Sequence, residues 1–296
     1  MKYFTAIDVG GTSIKYALLD ETGKVQELNK VTIPKTIEDF YQAIQTIDQK
    51  INSSKETVGI ALSMPGAVDS ESGCIGGASA VPYIHGPNIK EELEKRVNKP
   101  VQIENDANCA ALAEVWIGSA SDVQDCLFIV SGTGIGGAVV KDKKIHKGKH
   151  LHGGEFGYMI STNNIDEEVF STWSWDGSTV AVVRGVAKEL GVSVDSLDGK
   201  DIFDKASSNP VYQKYVNRFY YVLAMGIFNL QYAFDPEKIV IGGGISARED
   251  LLEQVNSRLA IIFKQLDHAK IQPTVVKCQF ENEANLIGAV YHFINC

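Results

Sequence analysis

The chain has 296 residues, 44% of them hydrophobic and 22% charged. That mixture excludes a wholly disordered or fibrous chain, and at roughly 150 residues per domain it fits about two domains. Lys and Arg number 28 against 37 Asp and Glu, leaving a net charge of −9, which argues against wrapping nucleic acid or lying on an anionic membrane, because both require a local excess of cations.

The N-terminus reads Met-Lys-Tyr-Phe-Thr-Ala-Ile-Asp, and the acid interrupts it before a signal-peptide apolar region can form. Residues 3–9 read as a strand, Gly10-Gly11-Thr12 as a turn, and 14–19 as a second strand closing in a hairpin at 20–23. Phe40, Ile44, Ile47 and Ile51 share one face of a helix over 38–52. A short buried strand spans 57–63, a helix 89–97, a strand 101–103 and an alanine-rich helix 107–117. Residues 125–130 form a strand, 132–137 a glycine turn (GTGIGG) and 138–141 the resumed strand. The basic run 141–149 is expected to be a solvated hairpin tip. The most apolar stretch, 219–234, is too short and too often interrupted to span a membrane, so a buried helix stopped by Asp235-Pro236 is expected. A strand from 238 runs into Gly242-Gly243-Gly244, and 284–294 is an apolar final helix. The five cysteines (74, 109, 126, 278 and 296) are scattered without a CxxC pair. They indicate neither a disulfide framework nor a cysteine zinc site and fit a reducing cytoplasm.

The stretches TAIDVGGTSIKYALLD (5–20) and LFIVSGTGIGGAVVKD (127–142) repeat one pattern: apolar strand, turn rich in Gly and Thr, apolar strand. Such recurrence predicts an α/β protein of two domains built on the same unit, each presenting a glycine turn toward a shared cleft. The expected division is 1–110 with a returning 282–296 in a smaller N-terminal domain, and 111–281 in a larger C-terminal one.

A Gly-Gly-Thr turn lets bare backbone N–H groups approach an anion, so Gly10, Gly11 and Thr12, Gly132, Thr133 and Gly134, and Gly243 and Gly244 are candidates for a phosphate cradle. An ordinary hairpin is the structural reading of any one of them alone. Asp8, inside an apolar run two residues before the first turn, is a candidate for holding Mg²⁺; an edge-strand acid facing solvent is the alternative. In Glu104-Asn105-Asp106-Ala107-Asn108, Asp106 stands where a helix N-cap is common, and where a carboxylate could accept the proton of an attacking hydroxyl.

Together the motifs DVGGT (8–12), MPGAVD (64–69), ENDAN (104–108), GTGIGG (132–137), GGEFG (153–157) and IGGGI (241–245) resemble the ROK family of sugar kinases, in the actin-like ATPase superfamily. The resemblance implies two ribonuclease-H-like domains flanking a cleft for ATP and sugar, with transfer of the γ-phosphoryl group to a sugar hydroxyl, usually O6 of a hexose. It implies Asp106 as catalytic base, and Gly66, Asn105 and Glu155 at the sugar. It further implies Asp8, Gly10, Gly11 and Thr12 at the first phosphate and Mg²⁺ segment, Gly132, Thr133 and Gly134 at the second phosphate turn, and Gly243 and Gly244 on the adenosine side. Small-molecule sugar and ATP are then the partners, without nucleic acid or membrane, and a homodimer follows the family habit. A non-catalytic sugar sensor of the same fold is the alternative. Repression of transcription is not expected, because DVGGT begins at residue 8 and leaves no room for a preceding DNA-binding domain.

Two departures stand out. Where the resemblance implies a zinc-binding His, this chain has Tyr158; where it implies a cysteine cluster, residues 166–178 (DEEVFSTWSWDGS) hold no cysteine. No zinc is therefore expected, and His146, His150 and His152 are expected on the solvated hairpin. Ser13 stands where many relatives have Lys, so no phosphate-binding lysine is assigned and Lys15 is expected at the strand surface. GEFGYM with ENDANC resembles the β-glucoside kinase branch, and Trp173 and Trp175 could then stack on a second sugar ring, or else pack in the core or anchor a loop.

Overall fold

The computed structural model describes the backbone of residues 1–296 and the side chains of all but Thr162 and Asn163. Strand β1 (Tyr3–Val9) is buried along nearly its whole length, as its apolar composition requires; it pairs antiparallel with β2 (Ser13–Asp20), which pairs with β3 (Val25–Thr32). Helix α1 (Ile37–Ser54) starts at Thr36, whose hydroxyl accepts the Asp39 N–H, and buries Phe40, Ile44, Ile47 and Ile51, the expected face. Strand β4 (Ile60–Met64) is shorter than expected. Residues 57–59 instead act as a bonded approach: the Thr57 hydroxyl joins Thr5 and Asp48, and the Gly59 carbonyl accepts the Thr5 N–H. A small hairpin follows, β5 (Ala67–Asp69) with β6 (Cys74–Gly76), then α2 (Ile89–Val97), β7 (Val101–Asn105) and α3 (Asp106–Ile117). The first sheet has the order β3-β2-β1-β4-β7, with β1, β4 and β7 parallel.

The pattern then repeats. Strand β8 (Cys126–Ser131), the glycine turn, β9 (Ile135–Lys141) and the two-residue β10 (Lys144–Ile145) come first. Strands β11 (Ile160–Asn164) and β12 (Val169–Thr172) form a separate antiparallel pair, followed by α4 (Trp173–Gly177), α5 (Thr179–Leu190), α6 (Gly199–Asp204) and the long α7 (Pro210–Phe234). Asn209 caps α7, Pro210 takes its first position, and Asp235 ends it in the left-handed region with Pro236 beyond. Strand β13 (Lys238–Gly242), α8 (Leu251–Gln265), β14 (Val275–Lys277) and α9 (Ala284–Asn295) complete the chain. The second sheet has the order β10-β9-β8-β13-β14, parallel across β8, β13 and β14. In chain order both sheets read third, second, first, fourth, fifth, and in both the glycine turn joins the first strand to the second. The repeat seen in the sequence is thus a repeat of topology.

The chain forms two compact units, residues 1–122 with 140–153 and 279–296, and residues 123–139 with 154–278. Against the expected division at 110/111, α3 lies wholly in the first unit. The reason is its packing on α9, where the Cys109 carbonyl sits so close to Gly288 that a Cβ there would lie 1.7 Å from it. The tip 140–153 also clusters with the first unit. Among the described residues, no disulfide joins the cysteines and no helix is long and apolar enough to cross a membrane.

Candidate active site

In the first unit the parallel strands β1, β4 and β7 run side by side, and Asp8, Ser63 and Glu104 occupy matching register positions near their C-terminal ends. In open α/β sheets this is the edge where ligands bind. Asp8 is 8% exposed, so the solvent-facing alternative does not hold. Its Oδ1 accepts from the Ser63 hydroxyl (3.0 Å) and from Asn285 Nδ2 (2.9 Å), while Oδ2 has no protein donor among the described residues. A buried carboxylate with one uncommitted oxygen beside a bare-backbone turn suits Mg²⁺, which takes one or two carboxylates and completes its shell with water and phosphate. Gly10, Gly11 and Thr12 form that turn, closed by Gly10 N–H donating to the Ser13 carbonyl (3.0 Å), with Gly11 and Thr12 exposed. Lys15 lies on β2 and reaches Asn282.

The N-cap of α3 is Asn105, not Asp106: Asn105 Oδ1 accepts the Asn108 N–H at 3.1 Å, and Asp106 is the first helical residue. The Asn105 amide group donates to the Gly66 carbonyl (3.0 Å) and to Asp106 Oδ1 (2.9 Å), and the Ala107 N–H also donates to that oxygen (2.8 Å). Asn105 therefore links Gly66 to Asp106, whose carboxylate is held by the Asn105 amide and the Ala107 N–H. Gly66 has φ +102°, and a Cβ would meet His85, Ile75 and the Gly76 carbonyl at 3.0–3.1 Å, so glycine is required here by the backbone. Asp8, Glu104 and Asp106 converge electrostatically on Cys109, a buried thiol pushed well up first by burial and then by these three carboxylates.

Glu104 received no role from its sequence: in Val-Gln-Ile-Glu-Asn (101–105) polar residues alternate with apolar ones, so the acid lacks the apolar run that singled out Asp8. Glu104 is fully buried, and Lys147 Nζ lies 2.8 Å from its Oε2. The expected solvated tip is therefore corrected at Lys147, which turns inward, whereas His146, His150 and His152 are exposed. No sequence signal marked Asn285, which is 277 residues from Asp8.

In the second unit, Gly132, Thr133 and Gly134 link β8 to β9. Gly132 N–H donates to the Gly134 carbonyl (3.0 Å), and the Gly132 carbonyl accepts from the Thr179 N–H (3.0 Å) and hydroxyl (2.7 Å) at the start of α5. Gly243 and Gly244 follow β13. A Cβ on Gly243 would lie 2.4 Å from the Ser131 carbonyl, so this turn lies against the end of β8, where the Gly132–Gly134 turn begins. Around Gly132 and Gly244 a Cβ would meet nothing within 4 Å, which leaves their backbone open to a ligand. Glu155 is exposed just before a short 3-10 turn, and its carboxylate contacts none of the other predicted site residues of its unit among the described residues. Tyr158 is 75% exposed. Among the described residues no three His, Cys, Asp or Glu side chains converge as metal ligands.

The sugar-stacking expectation fails for Trp173. It is 2% exposed, and Cβ atoms at Gly226 and Gly177 would lie within 2.7 Å of its ring, so it is a core residue of the second unit. Trp175 is 60% exposed, and the Arg184 guanidinium covers one face 3.6 Å from the ring centre.

The ROK family model matches residues 4–295. The chain is 34% identical to a β-glucoside kinase of Klebsiella pneumoniae, covering 97% of this chain and 95% of the relative. A ROK family protein from Streptococcus pneumoniae TIGR4, solved in complex with sucrose, superposes with a TM-score of 0.90 at 36% identity, covering 99% and 98% of the two chains. A ROK family glucokinase from Streptomyces griseus, in complex with glucose and AMPPNP, gives a TM-score of 0.76 at 26% identity over 97% and 98%. With its two repeated α/β units, its motifs in order from residue 8 to residue 245 and a family match over nearly its whole length, this chain belongs to the ROK family.

Proposed function

We propose that the protein is an ATP-dependent carbohydrate kinase that transfers the γ-phosphoryl group of ATP to a sugar hydroxyl, O6 of a glucose-type hexose or of a β-glucoside. The observation that carries the reading is the hydrogen-bonded chain Gly66–Asn105–Asp106: a carboxylate at the end of β7 held by the Asn105 amide and the Ala107 N–H, with the same amide tied to the Gly66 carbonyl. Phosphoryl transfer asks a protein for positioning, charge neutralisation and a proton acceptor, and this arrangement supplies the acceptor.

In the proposed step Asp106 takes the O6 proton as an O6 lone pair bonds to the γ-phosphorus. The bridging P–O bond to the β-phosphate breaks, and its electron pair leaves on ADP. Asn105 keeps Asp106 in place and, with Gly66, meets the sugar hydroxyls. The N–H groups of Gly10–Thr12, Gly132–Gly134 and Gly243–Gly244 take the phosphates and the adenosine side. Asp8 would hold Mg²⁺ through its uncommitted oxygen, and the metal, when bound, supplies neutralisation of phosphate charge. Relatives named as β-glucoside kinases and a neighbour solved with sucrose support a glycosylated glucose among the acceptors. Tyr158 and the cysteine-free segment 166–178 support an enzyme without zinc, and the cysteine usage supports the cytoplasm. A homodimer remains the family expectation, and light scattering tests it.

The test is ADP release with Mg·ATP over glucose, fructose, mannose, N-acetylmannosamine, N-acetylglucosamine, sucrose, cellobiose and gentiobiose. Asp106→Asn should lower kcat by about 10²–10⁴-fold, the usual share of a general base, while calorimetric sugar binding persists. Near-wild-type turnover of the variant refutes the base, and silence of the wild type on every sugar with ATP still bound turns the reading to a sensor.

A further inference from the structure

Glu104 lies directly before Asn105 and Asp106, and both of its oxygens are occupied. Oε1 accepts the Asn105 N–H (2.8 Å) and the Asn108 side-chain amide (3.0 Å). These two residues bracket Asp106 and are themselves joined by the α3 cap bond from the Asn108 N–H to Asn105 Oδ1. One carboxylate oxygen thus grips both sides of the turn that aims Asp106. Oε2 accepts from the Ser70 hydroxyl (3.2 Å) and pairs with Lys147 Nζ (2.8 Å), which also donates to Ser70. The Lys147 loop is itself braced, the Gly153 N–H donating to the Lys147 carbonyl (2.8 Å).

The Glu104 side chain is 1% exposed and that of Lys147 25%, so the pair is largely out of water. A buried carboxylate that loses its countercharge is destabilised far more than an exposed one. Two other cationic groups stand near. Lys90 is taken up by Gln102 Oε1 (3.0 Å) and the Ser70 carbonyl. His292 Nδ1 is 3.6 Å from Glu104 Oε2, and with Lys147 in place burial pushes its pKa down, so near neutral pH the ammonium, not the imidazole, is the countercharge.

We infer that Lys147 is a positioning residue of the transfer reaction: its ammonium is the countercharge of Glu104, and through Glu104 it fixes the Asn105–Asn108 turn and the aim of Asp106. The inference rests on the kinase reading for its catalytic consequence and on the geometry of one unit for its structural part. Nothing in the basic run 141–149 distinguished Lys147 from Lys141, Lys143, Lys144 and Lys149 before the fold brought it to Glu104.

The experiment compares wild type with Lys147→Met, Lys147→Arg and the double variant Lys147→Met/Glu104→Gln. It reads kcat, KM for Mg·ATP and amide hydrogen exchange at residues 105–108, well below the melting temperature of each. Lys147→Met should lower kcat about tenfold, the scale of a small misplacement of a reacting group, leave KM for Mg·ATP unchanged, and speed exchange at Asn105 and Asn108. Lys147→Arg should keep kcat within about threefold, because the charge remains. The double variant should recover part of the kcat lost by Lys147→Met, because the glutamine side chain keeps an acceptor oxygen and carries no unpaired charge. A merely structural role would lower the melting temperature and leave kcat of the folded enzyme intact. Wild-type kcat and exchange in Lys147→Met, or a double variant worse than Lys147→Met, overturns the inference. If the wild type itself turns over no sugar, the kinase reading fails instead; the exchange measurement then decides the positioning, faster exchange upholding it and unchanged exchange refuting it.

Discussion

A Cβ at Gly243 would lie 2.4 Å from the Ser131 carbonyl oxygen, and the residue has φ +82°, whereas a Cβ at the next residue, Gly244, would point into open space. The two glycines of one motif therefore do different work. Gly243→Ala should destabilise the protein by about 1–3 kcal/mol, the range for a strained backbone position, seen in the urea midpoint. Gly244→Ala should stay within about 0.5 kcal/mol of wild type, as at an unconstrained surface site, and instead raise KM for ATP several-fold. The reverse pattern would remove Gly244 from the nucleotide site. His292 makes a second residue-scale prediction. Burial lowers its pKa from 6.5; the Glu104 carboxylate opposes this, Lys147 and Lys90 add to it, and a backbone hydrogen bond with Ile103 opposes it. Near and below pH 6.5 the unfolded chain then binds more protons here than the folded one, so stability is full above that pH and falls as pH drops toward the shifted value. His292→Gln should flatten the fall of the urea midpoint between about pH 7 and about pH 5 relative to wild type.

At the scale of elements, the α3–α9 contact depends on small residues. Ala110, Ala111 and Ala113 keep α3 slim, and Gly288 lets α9 close onto the Cys109 carbonyl. Gly288→Ala should cost about 3 kcal/mol, the upper part of the range for overpacking a tight interior, and a scanning-calorimetry trace identical to wild type would contradict that contact. The buried Glu114 serves the same region: its two oxygens accept the N–H groups of Gln279 and Phe280 and the N–H and hydroxyl of Ser119, so the approach to α9 is tied to the end of α3. The alanine-rich helix and the apolar final helix were both legible in the sequence. Their partnership was not, because no periodicity names the other helix. The cap of α3 was legible only to within one residue, since Asn and Asp are equally good caps and only the backbone conformation separates them.

At the scale of the whole molecule, the zinc prediction follows from Tyr158 and from a cysteine-free 166–178. Elemental analysis should find well under one zinc per chain, and dipicolinate should leave the melting temperature unchanged; a stoichiometry near one with a chelator-induced loss of stability would overturn it. The two repeated strand–turn–strand stretches became two sheets of the same strand order, because glycine turns and apolar alternation are local properties that a short window of sequence carries in full. For the same reason the candidate set was readable: Asp8 from an acid inside an apolar strand, Asp106 from its place between strand and helix, and the turns at 10–12, 132–134 and 243–244 from their glycines. What the tertiary structure alone decided lies in contacts between distant residues. Asn285 reaches Asp8 across 277 positions, Lys147 leaves a run of lysines to meet Glu104, Trp173 enters the core while Trp175 stays outside, and α3 joins the first unit by packing on a helix at the far end of the chain. Local sequence sets what a segment can be; which polar group is left to satisfy which other one is settled only when burial removes water as the competing partner.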